Sequence, residues 1–281
     1  MTKKLIIVGG ATATGKTAEA IRMAQQLGTE IISADSRQFY RGLDIGTAKP
    51  TREELAAAKH HLIDSLDVEQ PYSVGEFERD ALHLLDDIFS RHDHAIMVCG
   101  SGLFLKAVCQ GLDVFPTISD NSKQTVVDIE QKGGILLLQY ELKRLDPEQF
   151  QRIDPQNPAR LRRALEVCLE SGAPYSSFLA KDKIQRPFQS IYHVMDMPRD
   201  LLYARINARV DAMIAAGLEA EARRFLPFRH YPALNTIGYT EWFEYFDGML
   251  TRPEAIDKIK QHSRNYAKRQ VTWFRKYGNA D

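Results

Sequence analysis

The stretch GGATATGKTAEA, residues 9–20, constrains this chain more than any other, and it follows directly on the apolar run Leu5-Ile6-Ile7-Val8. Within it, Gly10-Ala11-Thr12-Ala13-Thr14-Gly15-Lys16-Thr17 has the pattern G-x-x-x-x-G-K-[ST] of a phosphate-binding loop. Backbone N–H groups of such a loop, the lysine ammonium and the threonine hydroxyl suit a phosphate chain with its magnesium. The flanks have the right character. KLIIVGG reads as a buried strand of a parallel sheet, and Lys16 to Leu27 reads as the helix behind it. The alternative, a bland glycine-rich turn, does not account for a strand before and a helix after.

The same alternation continues along the chain. Glu30 to Asp35 is a second strand and His94 to Gly100 a third. The third is preceded by a helical stretch around Phe77 to Ser90 and followed by a helix at Gly102 to Cys109, and Ser190 to Met197 is a later strand. Strands alternating with helices specify an α/β fold, here a P-loop NTPase-like parallel sheet flanked by helices, with ligands at the carboxyl ends of the strands. The loop, Asp35 and Gly100-Ser101-Gly102 all follow strands, so they converge on one crevice. From Phe115 to Pro187 helical patterns occur without a convincing strand. The expected organisation is therefore a catalytic core of residues 1–114 and 188–281 with a helical insertion at 115–187. TRPE, Thr251 to Glu254, has capping-box spacing with proline just inside the start, and opens a long C-terminal helix.

Bulk properties narrow the class. The 281 residues are 44% apolar and 26% charged, ordinary globular values. No apolar run approaches the roughly 20 residues that cross a bilayer, and MTKK leads into a strand without a cleavage-site pattern, so neither membrane span nor signal peptide is expected. Cys99, Cys109 and Cys168 are odd in number and lack C-x-x-C spacing, which argues for the reducing cytoplasm and against a disulfide framework or zinc site. Nothing demands more than a monomer. The formal net charge is +0, yet Lys258 to Lys276 carries only basic charge.

Phosphate binding leaves the owner of the phosphates open. The N-K-x-D signature for guanine is absent, and no apolar run ends in an aspartate like that of a typical ATPase. Asp35 ends a strand about one βαβ unit beyond the loop, so its carboxylate either holds magnesium through water or acts as a general base. The stretch after it, through Gly42, Gly46 and Pro50, is small and polar, as in a binding loop. His60 and His61 point different ways on a strand and lack a third ligand, so a metal site there is not expected. Gly100-Ser101-Gly102 before a helix either holds an anion or simply packs. Arg160, Arg162 and Arg163 form either a solvated face or a contact to nucleic-acid phosphates. SRNYAKRQVTWFRK sets Arg264, Lys268, Arg269, Arg275 and Lys276 among Tyr266, Trp273 and Phe274. Either its aromatics stack on bases or they are core while the cations face water. Arg205 and Arg209 lie one helical turn apart and either grip a diphosphate or stand on the surface.

Together these stretches resemble the tRNA dimethylallyltransferase (isopentenyltransferase) family. The matching segments are the loop, SADSRQFYRGLDIGTAKP, HHLID, YSVGEFERDA, GSGLFLKA, RIDPQNPARLRRALEV, IGYTE and AKRQVTWFR, in the family's order and over nearly the whole chain. Two departures stand out: the loop reads GGATATGKT where the family's usually reads GPTASGKT, and Thr117 to Gly134 matches poorly. The resemblance implies transfer of a dimethylallyl group from dimethylallyl diphosphate to N6 of the adenosine 3′ to the anticodon. The loop, from Gly10 to Thr17, would then hold the donor's diphosphate, despite a motif commonly labelled ATP-binding. Asp35 would take the N6 proton, and Lys16, Thr17 and Arg205 would neutralise the departing diphosphate. Arg209 is the second choice for the arginine role. Mg²⁺ is the implied cofactor, with Thr17 as its protein ligand. Asp35, Ser36, Arg37, Gln38, Ser101, Ala159, Arg160, Leu161, Arg162, Arg163, Lys268 and Arg269 are the implied tRNA contacts, and the insertion would grip the anticodon stem. The rival readings are an adenylate isopentenyltransferase, a P-loop small-molecule kinase and a non-enzymatic RNA-binding module.

Overall fold

A computed structural model describes residues 2–179 and 184–278; positions 1, 180–183 and 279–281, which fall within the expected core and insertion, lie outside the described residues. The chain separates into two compact units, Met1–Gln110 with Gln185–Asp281, and Gly111–Ile184.

The first unit holds a parallel five-stranded sheet in the order β3-β2-β4-β1-β5. In chain order its first elements are β1 (Lys3–Gly10), α1 (Lys16–Leu27), β2 (Ile31–Ala34), α2 (Arg52–Ala57) and β3 (His60–His61). Then come α3 (Val74–Arg91), β4 (His94–Cys99) and α4 (Gly102–Gln110). The short α2 has too few residues to show a period and was not anticipated, whereas β3 falls on His60 and His61, which the sequence places on a strand. Strand β1, paired with β4 on one side and β5 on the other, explains the layering. Leu5 and Ile7 enter the large core on one face, with Phe77 and Leu85 of α3, while Ile6 and Val8 meet Ala20, Ile21 and Ala24 of α1 on the other. A strand buried on both faces must be apolar throughout, as LIIV is. The register brings Gly9 level with Cys99 and Val194, and Ala34 level with Cys99, so the strands end along one edge.

The second unit contains α5 (Asp120–Leu145), interrupted at Gly134, then α6 (Pro147–Arg152) and α7 (Pro158–Ser171). Val126, Leu138, Leu142, Leu161 and Leu165 form its core. Buried Asp146 caps α6 through the Gln149 N–H at 2.9 Å and also accepts the Ser176 N–H at 2.6 Å, tying the helix to the turn that follows α7.

The first unit resumes with β5 (Phe188–Met195), α8 (Arg199–Ala215), α9 (Leu218–Phe225), α10 (Thr240–Phe246) and α11 (Arg252–Tyr277). Helix α11 begins with the anticipated box: the Thr251 hydroxyl accepts the Glu254 N–H while the Glu254 carboxylate accepts the Thr251 N–H. Phe274 is 3% exposed and Trp273 packs on the same core, so both serve packing. Among the described residues no helix is long and apolar enough to cross a membrane.

Candidate active site

The phosphate-binding loop turns where β1 ends. Gly10 takes φ +137°, and a β-carbon there would stand 2.5 Å from the Met195 carbonyl oxygen, so no other residue fits without moving β5. Ala13 is left-handed at φ 64° and Gly15 at φ 96°. The Thr14 hydroxyl and the Lys16 ammonium both donate to the Ala11 carbonyl, at 2.8 and 2.7 Å, which folds the loop around that oxygen. Burial pushes the Lys16 pKa down to about 8, the Arg209 guanidinium adds to the fall, and Asp35 and Cys99 oppose it. Arg209 reaches in from α8 and donates to the Thr12 hydroxyl at 3.2 Å. Its own pKa is lowered by burial against the pull of Asp35. Two cations forced together in a buried pocket call for an anion.

Two cavities meet at this point. The smaller, of about 210 Å³, lies over Thr12, Ala13, Gly15, Lys16 and Thr17, and its far side includes Ser33, Asp35 and Gln38. The larger, of about 370 Å³, has an apolar wall of Ile206, Val210, Met213, Ile237 and Ile259. Both are bounded by Thr12, Asp35, Thr47, Arg209 and Tyr266. Asp35 is thus, among the described residues, the only carboxylate common to the two. Its Oδ1 accepts the Arg37 N–H at 2.9 Å, a turn that fixes the side chain, and no other hydrogen bond to the carboxylate exists among the described residues. The neighbouring side chains are fixed in turn. Gln38 accepts the Ser33 hydroxyl at 3.1 Å and donates to the carbonyls of Thr47 and Ala48, and Arg37 donates to the carbonyls of Pro232 and Asn235.

The structure therefore gathers half of the anticipated residues along these two cavities. Thr12, Ala13, Gly15, Lys16, Thr17, Asp35, Gln38 and Arg209 line the smaller cavity, and Ser36, Arg37 and Arg269 line the larger. Gly10, Ala11 and Thr14 shape the loop from behind rather than face the cavity. Arg205 stands at the mouth: a β-carbon on Gly15 would lie 4.0 Å from its Nη2. Gly100 borders the smaller cavity whereas the anticipated Ser101 does not. Lys268 lies on the exposed face of α11. In the second unit Ala159, Arg160 and Arg163 border a hollow of about 490 Å³ together with Tyr175. Arg162 is held by Glu130 at 2.8 Å. Leu161 corrects an expectation: it is 0% exposed, because the helix turns its apolar face inward at that position, so it cannot touch RNA.

A hard divalent cation fits the donor set. The Thr17 hydroxyl has no protein partner among the described residues, and Asp35 and Glu54 are the carboxylates bordering the same cavity. Among the described residues no cluster of three or more His, Cys, Asp or Glu could hold a metal alone. That is the pattern of an ion such as Mg²⁺, which keeps waters and relies on substrate phosphates.

Reading the sequence assigned no role to Gln270, Tyr266 as a cavity wall, Glu221 or Tyr239. Gln270 donates to the Gly100 carbonyl at 2.7 Å and accepts the Thr12 N–H at 2.8 Å. Glu221 accepts N–H groups of Ile45 and Gly46, both at 2.9 Å, and the Tyr239 hydroxyl at 2.6 Å, fixing the loop that carries Thr47. For Gln270 and Tyr239 the signal lay in AKRQVTWFR and IGYTE, whose spacing alone does not show what they touch; Tyr266 and Glu221 lie outside both segments.

The profile of the IPP transferase family matches residues 38–277. The chain belongs to the IPP transferase family. Among similar family members, the tRNA dimethylallyltransferase of Christiangramia forsetii is 48% identical, over 98% of this chain and 91% of its own. That of Cytophaga hutchinsonii is 44% identical, over 98% and 90%. Among solved structures, the tRNA isopentenylpyrophosphate transferase of Bacillus halodurans superposes with a TM-score of 0.72 at 37% identity, over 99% of this chain and 88% of that one. A eukaryotic dimethylallyltransferase acting on tRNA gives a TM-score of 0.81 at 25% identity, over 97% and 70%.

Proposed function

We propose that this chain is a tRNA dimethylallyltransferase, moving a dimethylallyl group from dimethylallyl diphosphate to N6 of the adenosine 3′ to the anticodon, with diphosphate as the second product. The observation that carries this reading is the position of Asp35, at the junction of a cationic cavity over the phosphate loop and a larger, half-apolar one. The smaller cavity suits the diphosphate. The larger, at about 370 Å³, is within the usual range of ligand pockets and offers an apolar wall to an allyl chain beside an extruded base.

The chemistry follows from the placement. The bond between C1 of the donor and its diphosphate oxygen breaks with its electron pair leaving on the diphosphate, and a new bond forms from N6 to C1. N6 is a weak nucleophile because its lone pair is delocalised into the ring. The free oxygen of the Asp35 carboxylate takes the N6 proton as the amine acquires positive charge. Lys16, Arg209 and the loop N–H groups hold the diphosphate, and Arg205 at the mouth meets the charge that develops on it. When bound, Mg²⁺ held by Thr17, and through water by Asp35, would supply further charge neutralisation to the leaving group. Arg160 and Arg163 of the second unit and Lys268 and Arg269 of α11 provide cations for RNA phosphates. The relatives named for tRNA, together with these cations, favour tRNA over a free adenine nucleotide as acceptor. We further propose that the enzyme acts as a monomer in the cytoplasm, where Cys99, Cys109 and Cys168 stay free thiols.

The test is incubation with labelled dimethylallyl diphosphate and either an anticodon stem-loop or AMP. Label should appear on the stem-loop adenosine with release of diphosphate. Label on AMP alone would replace this reading with an adenylate isopentenyltransferase, and phosphate transfer from ATP without prenylation would point to a kinase.

A further inference from the structure

We infer that Gln270 is a positioning residue for the donor-binding loop: it pins the loop, through Thr12, to the end of β4. Gln270 is 5% exposed in the middle of α11, and both ends of its amide are engaged. Its Oε1 accepts the Thr12 N–H at 2.8 Å and its Nε2 donates to the Gly100 carbonyl at 2.7 Å. The partners fix the orientation of the amide, because a backbone N–H can only donate and a backbone carbonyl can only accept. A β-carbon at position 100 would stand 2.7 Å from Nε2, so the glycine is what lets the amide come this close.

Two consequences follow for the loop. The Thr12 N–H is already used, so the donor's phosphates are left to the remaining loop N–H groups, Lys16 and the Thr17 hydroxyl. Thr12 also receives Arg209 on its hydroxyl, so one residue is held from two helices, α11 at its N–H and α8 at its side chain. An anion site built from backbone N–H groups works only while those groups point inward, and Gln270 sets where the loop begins to point. The same helix carries Tyr266 and Arg269, which line the larger cavity, so α11 ties the loop's position to the wall facing the acceptor.

This assignment rests on the loop binding the donor's diphosphate, and the experiment separates the two. Gln270→Met keeps the length of the side chain and removes both hydrogen bonds. Gln270→Glu keeps an acceptor for Thr12 but cannot donate to Gly100. The first readout, taken on unliganded protein, is hydrogen exchange at the Thr12 amide. It should be protected in the parent chain and exchange about 100-fold faster in Gln270→Met. The second is the KM and Kd for dimethylallyl diphosphate, which should rise about tenfold in Gln270→Met and further in Gln270→Glu, while the KM for the stem-loop stays within about twofold. Unchanged Thr12 exchange would overturn the anchor. Faster exchange with unchanged donor affinity, or donor and stem-loop constants rising together, would overturn the positioning role. Loss of Thr12 protection in a chain whose parent binds no dimethylallyl diphosphate would uphold the anchor and defeat the reading of the loop.

Discussion

The guanidinium of Arg209 donates to the hydroxyl of Thr12 at 3.2 Å, inside the cavity, while Arg205, one turn earlier on the same helix, stands at its mouth beside Gly15. The two arginines therefore have different work available to them. Arg209 is preorganised against the loop, so on the proposed function a donor would meet it in the ground state. Arg205 has no hydrogen-bond or ion-pair partner among the described residues, and on the proposed function it would follow charge as it develops on the leaving diphosphate.

Substitution should separate these roles. Arg209→Ala removes a charge-assisted contact of about 1.5–3 kcal/mol, which corresponds to a donor KM raised roughly 10- to 100-fold. Arg205→Ala should act chiefly on kcat, with a smaller change in donor KM. Steady-state kinetics on the two variants check the assignment. The reverse pattern, with Arg209 acting on kcat and Arg205 on KM, would exchange the two roles.

Lys16 gives a pH dependence with a definite sign. Burial, reinforced by Arg209, lowers its pKa from the ordinary 10.5 to about 8. Below pH 8 the ammonium is charged in both folded and unfolded chains, and its burial destabilises the fold in full. Between about 8 and 10.5 the folded state sheds the proton first, so this penalty is relieved as pH rises. Donor binding runs the other way, because a bound diphosphate favours the ammonium. Affinity for dimethylallyl diphosphate should weaken above pH 8 by up to about tenfold per unit, with uptake approaching one proton at pH 9. Calorimetry in two buffers of different ionisation enthalpy measures that uptake. Lys16→Arg should abolish it, since a guanidinium stays charged throughout. No uptake by the parent protein at pH 9 would contradict the assignment.

Glu221 tests how the acceptor side is built. It is 7% exposed and accepts the Tyr239 hydroxyl as well as the N–H groups of Asp44, Ile45 and Gly46. Removing it strands several buried donors at once, which should cost about 3 kcal/mol, or roughly 6–12 °C in the midpoint of thermal unfolding. Glu221→Gln keeps an acceptor and should cost about half as much. Because Gly46 and Thr47 border the larger cavity, the surviving activity should show a raised stem-loop KM with the donor KM less affected. Equal melting midpoints for Glu221→Ala and the parent chain would refute this account.

The legibility of these features in the sequence followed their range. Strands β1, β2 and β4 could be read because a doubly buried parallel strand must be apolar along its length, and the loop because its glycines and Lys16 occupy fixed spacing. The cap of α11 was equally plain, since Thr251 and Glu254 interact across three residues. Gln270 was hidden for the opposite reason: its partner Thr12 lies 258 residues away. Glu221 looks like any helical glutamate until the fold brings the loop at Asp44 to Gly46 against it. Leu161 misled because it lies within an arginine-rich run, and only the facing of the helix shows that it turns inward.

Asp35→Asn is the sharpest probe of the chemistry. The asparagine Oδ1 can still accept the Arg37 N–H that Asp35 Oδ1 accepts at 2.9 Å, so the turn and the cavity walls should persist. On the proposed mechanism what is lost is the basicity that would receive the N6 proton, along with a negative charge acting on Lys16 and Arg209. Turnover should fall by about 100- to 10,000-fold, the range of a general base. Stem-loop and donor affinities should remain within a few-fold of the parent, and donor binding should if anything tighten, because the cations no longer face a carboxylate. Single-turnover kinetics with saturating donor and stem-loop isolate the chemical step from binding. Near-parental turnover by Asp35→Asn would move the base elsewhere and leave Asp35 as a residue that only shapes the cavity.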